Sequence, residues 1–302
     1  MIAYLDLLEG VLRTGLEGVG DGLKQAQAQF VLCRQQPDGG FPGRRGGADL
    51  YYTDFALRLF ALVPPDPAAL SPTARYLAQP HLPTDAIQCF NLLNSRRLLA
   101  QLGYDVPLDL APILKALRLQ CLCDGGFARP GNSTASAYHT FLAALCYEML
   151  EDEAMPQVEE AIEAITALQG PDGGFREQLN EGVEQTNATA AAVAFLILQE
   201  ALTEQQARLS VAFLSKLQGR DGGFLAHAAA PSGDLLSTFT VLATLASLDG
   251  FDRLDLGAVA RFLRQTACPT GGFKAAHADT EPDIEYTYYG LGSLALIFAA
   301  QP

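Results

Sequence analysis

The sequence predicts an all-α protein built from six stacked helical hairpins, and three observations carry that expectation. A short turn recurs, as Gln36-Pro37-Asp38-Gly39-Gly40-Phe41, Cys123-Asp124-Gly125-Gly126-Phe127, Gly170-Pro171-Asp172-Gly173-Gly174-Phe175, Gly219-Arg220-Asp221-Gly222-Gly223-Phe224 and Pro269-Thr270-Gly271-Gly272-Phe273. From first glycine to first glycine the steps are 86, 48, 49 and 49 residues. Apolar runs of helical length flank each turn, so every period holds one hairpin that cannot bury its apolar face alone. Because 86 is close to twice 43, one repeat has lost its glycines, at Gln79-Pro80-His81-Leu82-Pro83-Thr84.

The turn has a physical logic. A Gly-Gly pair behind Asp allows positive φ and close passage of a neighbouring backbone, and the Phe that follows pins the turn into apolar surface. Residues 1–19 read as a leading amphipathic helix, with Ile2, Leu5, Leu8 and Leu12 on one stripe, capping the array. Unit one pairs a helix over Leu23 to Gln36 with one over Asp49 to Val63, which Pro64, Pro65 and Pro67 stop. Unit two, the degenerate one, has a short helix near Thr73 to Gln79 and a second over Asp85 to Gly103. Unit three runs from about Leu108 to Gln120 and from Ser133 to Leu150, and unit four from Asp152 to Leu168 and from Gln185 to Ala201. The second helices of units five and six begin near Asp234 and Asp283.

Polarity sorts these helices. The first helices carry charge, as at Glu159, Glu160, Glu163, Arg208 and Lys216, whereas Ala188 to Leu198 is apolar nearly all round. A helix with one polar face lies outside and one apolar on every side lies inside. Six such hairpins stack in a line or close into a ring. A closed ring would turn Tyr52, His139, Asp234 and Tyr286 toward one cavity.

Composition narrows the function. The repeat runs nearly end to end without a linker, so the 302 residues are expected to form one domain. A net charge of −14 argues against nucleic acid, and Arg44-Arg45 and Arg96-Arg97 are isolated basic pairs. No apolar run is long enough to span a bilayer, and Asp6 and Glu9 stand where a signal peptide would be basic, so a cytoplasmic protein is expected. The six cysteines lack a framework spacing and read as reduced core thiols.

In a ring, the starts of the inner helices surround a mouth, and those starts are polar. They hold Asp49, Tyr51, Tyr52 and Asp54; Asp85; Asn132, Ser133, Tyr138 and His139; Glu184, Gln185 and Asn187; Asp234, Ser237 and Thr238; and Asp283, Glu285, Tyr286, Tyr288 and Tyr289. Asp49, Ser133, Asp234 and Asp283 stand where N-caps are expected. Capping does not explain the gathering of carboxylates and tyrosines at one end. An apolar barrel with a polar mouth suits a long apolar ligand with a polar head.

The Gly-Gly-Phe turns, the stretch Asp234-Leu235-Leu236-Ser237-Thr238-Phe239 and the stretch Tyr286-Thr287-Tyr288-Tyr289-Gly290-Leu291-Gly292 resemble the prenyltransferase and squalene-cyclase repeat superfamily. The similarity runs from about residue 20 to 300 and is greatest to β subunits of protein prenyltransferases. It implies an α/α toroid of six hairpins, an isoprenoid or isoprenoid-diphosphate ligand, a helical-repeat α-subunit-like partner and a zinc site. Of the family's Asp, Cys and His zinc ligands only Asp234 matches, with Leu236 and Tyr286 at the other two positions. The family's diphosphate-binding Arg and Lys fall near Ala228 and Pro231 and are absent.

Two segments echo the lost motifs, Gly43 to Tyr52 with its Arg44-Arg45, and Tyr138-His139-Thr140. The resemblance therefore implies a prenyltransferase in which Arg44 and Arg45 hold phosphate and Asp49, His139 and Asp234 act on the acceptor or a metal. Tyr51, Tyr52, Tyr138, Asp283, Tyr286 and Tyr289 would line the substrate. One alternative is a non-catalytic toroid that binds isoprenoids or a partner. The other is a terpenoid cyclase using a cavity carboxylate, although the cyclase Asp-x-Asp-Asp run and the tryptophans of cyclase repeats are missing.

Overall fold

The computed structural model describes residues 4–150, 152–180 and 182–300. Helix α1 (Tyr4–Leu16) is followed by the hairpins α2 (Asp21–Leu32) with α3 (Leu50–Leu62), α4 (Ser71–Leu77) with α5 (Ala86–Gln101), and α6 (Ala111–Gln120) with α7 (Ala137–Met149). The remaining hairpins are α8 (Val158–Thr166) with α9 (Thr186–Leu198), α10 (Glu204–Ser215) with α11 (Leu235–Ser247), and α12 (Leu256–Thr266) with α13 (Ile284–Ala299). The second helices pack in series from α3 to α13, and α13 packs back onto α3, so the hairpins close into an α/α toroid. Sequence polarity explains which ring is inside. In α12 only Val259, Phe262, Leu263 and Thr266 are buried, the single stripe of an outer helix, whereas α9 buries residues all round from Thr186 to Leu196.

One device repeats in five of the six units. The backbone N–H of the turn Phe donates to a threonine hydroxyl one turn into the inner helix: Phe41 to Thr53, Phe127 to Thr140, Phe175 to Thr189, Phe224 to Thr238 and Phe273 to Thr287, at 2.8–3.1 Å. In the degenerate unit the position four residues after the Asp85 cap is Cys89, so the threonine was lost together with the phenylalanine it serves.

The glycines set the spacing between units. A Cβ on Gly222 (φ +93°) would lie 2.2 Å from the Ala258 carbonyl oxygen of the next outer helix. Gly271 (φ +90°) meets Ala26 in the same way, and the Gly272 N–H donates to Gln27 Oε1 at 2.7 Å. The last turn thus docks on α2, closing the outer ring as well.

Four expectations are corrected. Helix α1 does not cap the end of the array; it packs on α13, with Gly15 against Ala295, and is tied to α5 by Arg97–Asp6 and to α7 by the Tyr4 N–H on Glu148. It lies across the C-terminal ends of the inner helices and floors the ring. Helix α7 begins four residues later than expected, capped by Ser136 instead of Ser133. Helix α8 starts at Val158, well after Asp152. Among the cysteines only Cys89 and Cys146 are buried, while Cys33 and Cys123 are exposed.

Candidate functional site

Inside the ring is a chamber of about 650 Å³. Phe55, Phe90, Phe141, Phe239, Tyr288 and Tyr289 make its aromatic wall, and Tyr4, Leu5 and Leu8 of α1 line its floor. All six inner helices start at the opposite end, which is the mouth.

Capping claims part of the predicted site. Asp49 accepts the Tyr52 N–H, and Asp234 accepts both the N–H and the hydroxyl of Ser237. Asp49 is exposed and Asp234 half-buried, and neither lines the chamber. Burial raises both carboxyls above the usual aspartate range, opposed by these N–H donors.

The seam where α13 meets α3 holds most of the remaining candidates. Arg44 Nε donates to Asp283 at 2.8 Å and its terminal nitrogens hold Asp279, with the guanidinium 5.6 Å from the Tyr286 ring. Arg44 therefore joins unit one to unit six with its charge already matched by two carboxylates. Asp283 also caps α13 through the Tyr286 N–H. A hollow of about 660 Å³ at this rim is lined by Arg45, Tyr52, Glu285 and Tyr286.

Tyr51 connects hollow and chamber. It lines the chamber and donates its phenol proton to Glu285 Oε1 at 2.8 Å. Burial, chiefly, pushes Glu285 up to about 7, and Tyr52 is raised to about 12 by burial and the nearby carboxylates.

His139 lies in the chamber wall, 4% exposed. Ser136 Oγ donates to Glu177, so its lone pairs accept the His139 backbone N–H at 3.1 Å and Nδ1–H at 2.9 Å. That arrangement leaves Nε2 as the bare nitrogen, buried and without a hydrogen-bond partner among the described residues. Burial, reinforced by the Arg129 charge, lowers the imidazole below its ordinary value and so favours the neutral ring. Tyr138 next to it is 38% exposed because its ring opens on the chamber, and burial raises its phenol to about 12.

The ring closes, yet Tyr52, His139, Asp234 and Tyr286 do not share one cavity. His139, Tyr51, Tyr138 and Tyr289 face the chamber; Arg44, Arg45, Tyr52, Asp283 and Tyr286 face the rim hollow; Asp49 and Asp234 face neither. Sequence reading missed Ser136, Glu177, Arg58 and Asn91. Arg58 had a signal, since it stands four residues after Asp54 in an apolar helix and ion-pairs with it. Glu177 had none, because Ser136 is 41 residues away.

The zinc implied by the resemblance does not fit these donors. Leu236 presents aliphatic carbon to the chamber, Tyr286 lies in the rim hollow, and both Asp234 oxygens serve Ser237. Among the described residues no three His, Cys, Asp or Glu side chains converge as a ligand set.

An inner and an outer ring of helices around a chamber define an α/α-toroid protein. The family described as prenyltransferase alpha-alpha toroid domain matches residues 21–79, 83–230 and 192–301, and the chain belongs to it. Protein geranylgeranyltransferase-I of Candida albicans, solved with GGPP, is similar at 16% identity over 91% of both chains, TM-score 0.72. A variant of the type II terpene cyclase MstE from Scytonema, bound to geranylgeranyl dihydroxybenzoate, is similar at 15% identity over 97% of this chain and 99% of that one, TM-score 0.64. An α-1,6-mannanase from Salegentibacter shares the architecture at 12% identity over 91% and 98%, TM-score 0.61, so the fold by itself does not choose a reaction. No curated protein sequence matches the chain.

Proposed function

We propose that the chamber receives an isoprenoid chain and that the protein converts it by proton transfer, in the manner of a terpenoid cyclase. The observation that carries this reading is an aromatic chamber with the Tyr51–Glu285 pair at its mouth and the unpartnered His139 Nε2 in its wall. The Tyr51–Glu285 pair holds a proton near neutral pH, and His139 offers a bare, neutral Nε2. Environments that push two titratable groups toward neutrality from opposite sides assign the acid and the base. For the acid step the bond between Tyr51 and Glu285 reverses: protonated Glu285 donates to the Tyr51 oxygen, and the Tyr51 phenol, which lines the chamber, passes its own proton to the substrate. The faces of Phe239, Tyr288 and Tyr289 offer π-electron density to the cation that results, and His139 removes a proton to end the reaction. One proton enters and one leaves, so the product is an isomer of the substrate.

Prenyl transfer from a diphosphate is the second reading. Arg129 supports it, because this cation lines the chamber and has no ion-pair partner among the described residues. A helical-repeat α-subunit-like partner belongs to that reading. Against it, Arg44 is already matched by Asp279 and Asp283, and the rim carries more carboxylates than free cations.

The deciding experiment incubates the protein in D2O with geranylgeraniol, a geranylgeranyl-substituted phenol, or geranylgeranyl diphosphate with a peptide thiol. An isomeric product carrying one deuterium supports proton-transfer chemistry. Release of diphosphate with a prenylated thiol supports the second reading and overturns the first. Tight binding without a product leaves a non-catalytic isoprenoid-binding toroid.

A further inference from the structure

Partway down the chamber, polar groups interrupt the aromatic wall. Asn91 on α5 is 2% exposed and lines the chamber, yet its side-chain amide makes no hydrogen bond among the described residues. Arg58 on α3 also lines the chamber, with its guanidinium 4.5 Å from the Phe55 ring and 5.1 Å from the Phe90 ring. Its charge is matched by Asp54, which Asn94 holds at 2.7 Å, and the ion pair takes one terminal nitrogen of the guanidinium. At a rise of about 1.5 Å per residue, these two side chains stand about 8 and 12 Å below the starts of their helices.

When an apolar chain displaces water from the chamber, the Asn91 amide, which no protein group pairs, and the Arg58 guanidinium lose hydration, and that is costly. Leucine and methionine would fill the same space without that cost. The group that completes them carries an oxygen, because the guanidinium N–H groups that reach the chamber and the amide NH2 donate while the amide oxygen accepts. It is also uncharged. Arg58 and Arg97 are the cations of this region, and they already face the carboxylates of Asp54, Asp6 and Glu9.

We infer that Arg58 and Asn91 form a second polar subsite for a hydroxyl or carbonyl group on the isoprenoid, away from the end held at the mouth. The substrate class is then an oxygenated isoprenoid instead of one with a plain hydrocarbon tail. This inference rests on the reading of the chamber as an isoprenoid site.

The test compares farnesol with 12-hydroxyfarnesol by isothermal titration calorimetry. Wild-type protein should bind 12-hydroxyfarnesol about tenfold more tightly, the worth of a well-made buried hydrogen bond. Asn91→Leu should lose most of that preference and keep the affinity for farnesol. Arg58→Met, whose fold is checked by circular dichroism, should lose the preference as well. Equal affinity of the two probes for the wild type overturns the subsite and leaves the isoprenoid reading standing. An undiminished preference in a folded Asn91→Leu protein also overturns it. Failure of both probes to bind removes the isoprenoid reading and the subsite together.

Discussion

Tyr51 donates its phenol proton to Glu285 at 2.8 Å, across the seam where the first inner helix meets the last. The two residues are 234 positions apart in sequence, and their contact exists only because the toroid closes. Burial of Glu285 makes this seam sensitive to pH.

The sign of that sensitivity follows from the shift. With its carboxyl raised from 4.5 to about 7, native Glu285 binds more protons than the unfolded chain between those values, so stability falls as pH rises through that window. The full effect is about 3 kcal/mol. Glu285→Gln, which still accepts from Tyr51, should erase this part of the pH dependence and be more stable than the wild type at pH 8. Urea unfolding at pH 5, 6, 7 and 8 checks it; parallel curves for the two proteins would mean that Glu285 stays ionised.

Arg44 is expected to act as a clasp between units one and six. Arg44→Met leaves Asp283, whose side chain is 5% exposed, without its cation, and should cost about 1–3 kcal/mol. Arg45→Ala should leave the urea midpoint unchanged. If Arg44→Met instead weakened geranylgeranyl diphosphate binding with no loss of stability, Arg44 would belong to a phosphate site.

The threonine that receives each turn N–H gives a repeat-level prediction. Thr238→Val leaves the Phe224 N–H buried and unpaired and should cost about 1–3 kcal/mol, whereas Thr238→Ser should recover most of it. Equal stability of the two variants would place the tie elsewhere.

His139 is expected to be neutral at pH 6.5 with its proton on Nδ1, which 15N-detected NMR of the ring reads directly. His139→Gln should lower product formation by about 100-fold or more with little change in Tm. Glu177→Gln should weaken the hold on Ser136 and shift the acidic limb of the pH–rate profile. A variant lacking the imidazole that turned over at the wild-type rate would remove His139 from the reaction.

Much of the architecture was legible in the chain because it is written in short segments. The Gly-Gly-Phe turns, the caps at Asp49, Asp85, Asp234 and Asp283, and the apolar run from Ala188 to Leu198 each act within a few residues, through backbone sterics, free N–H groups and helical periodicity. Even the lost repeat was visible as the doubled interval after Gly39.

The site was decided by the tertiary structure. Sequence placed carboxylates and tyrosines at one end of the ring but not their facing, because the rotation of each inner helix is set by packing against both neighbours. Packing turned His139 and Tyr138 into the chamber, sent Tyr52 and Tyr286 to the rim hollow, and left Asp49 and Asp234 to their backbones. It also spent Arg44 on Asp279 and Asp283, 235 and 239 residues away, and laid α1 across the floor. Local propensity fixes a hairpin; only closure of the ring, which brings the first and last units together, fixes which charges meet.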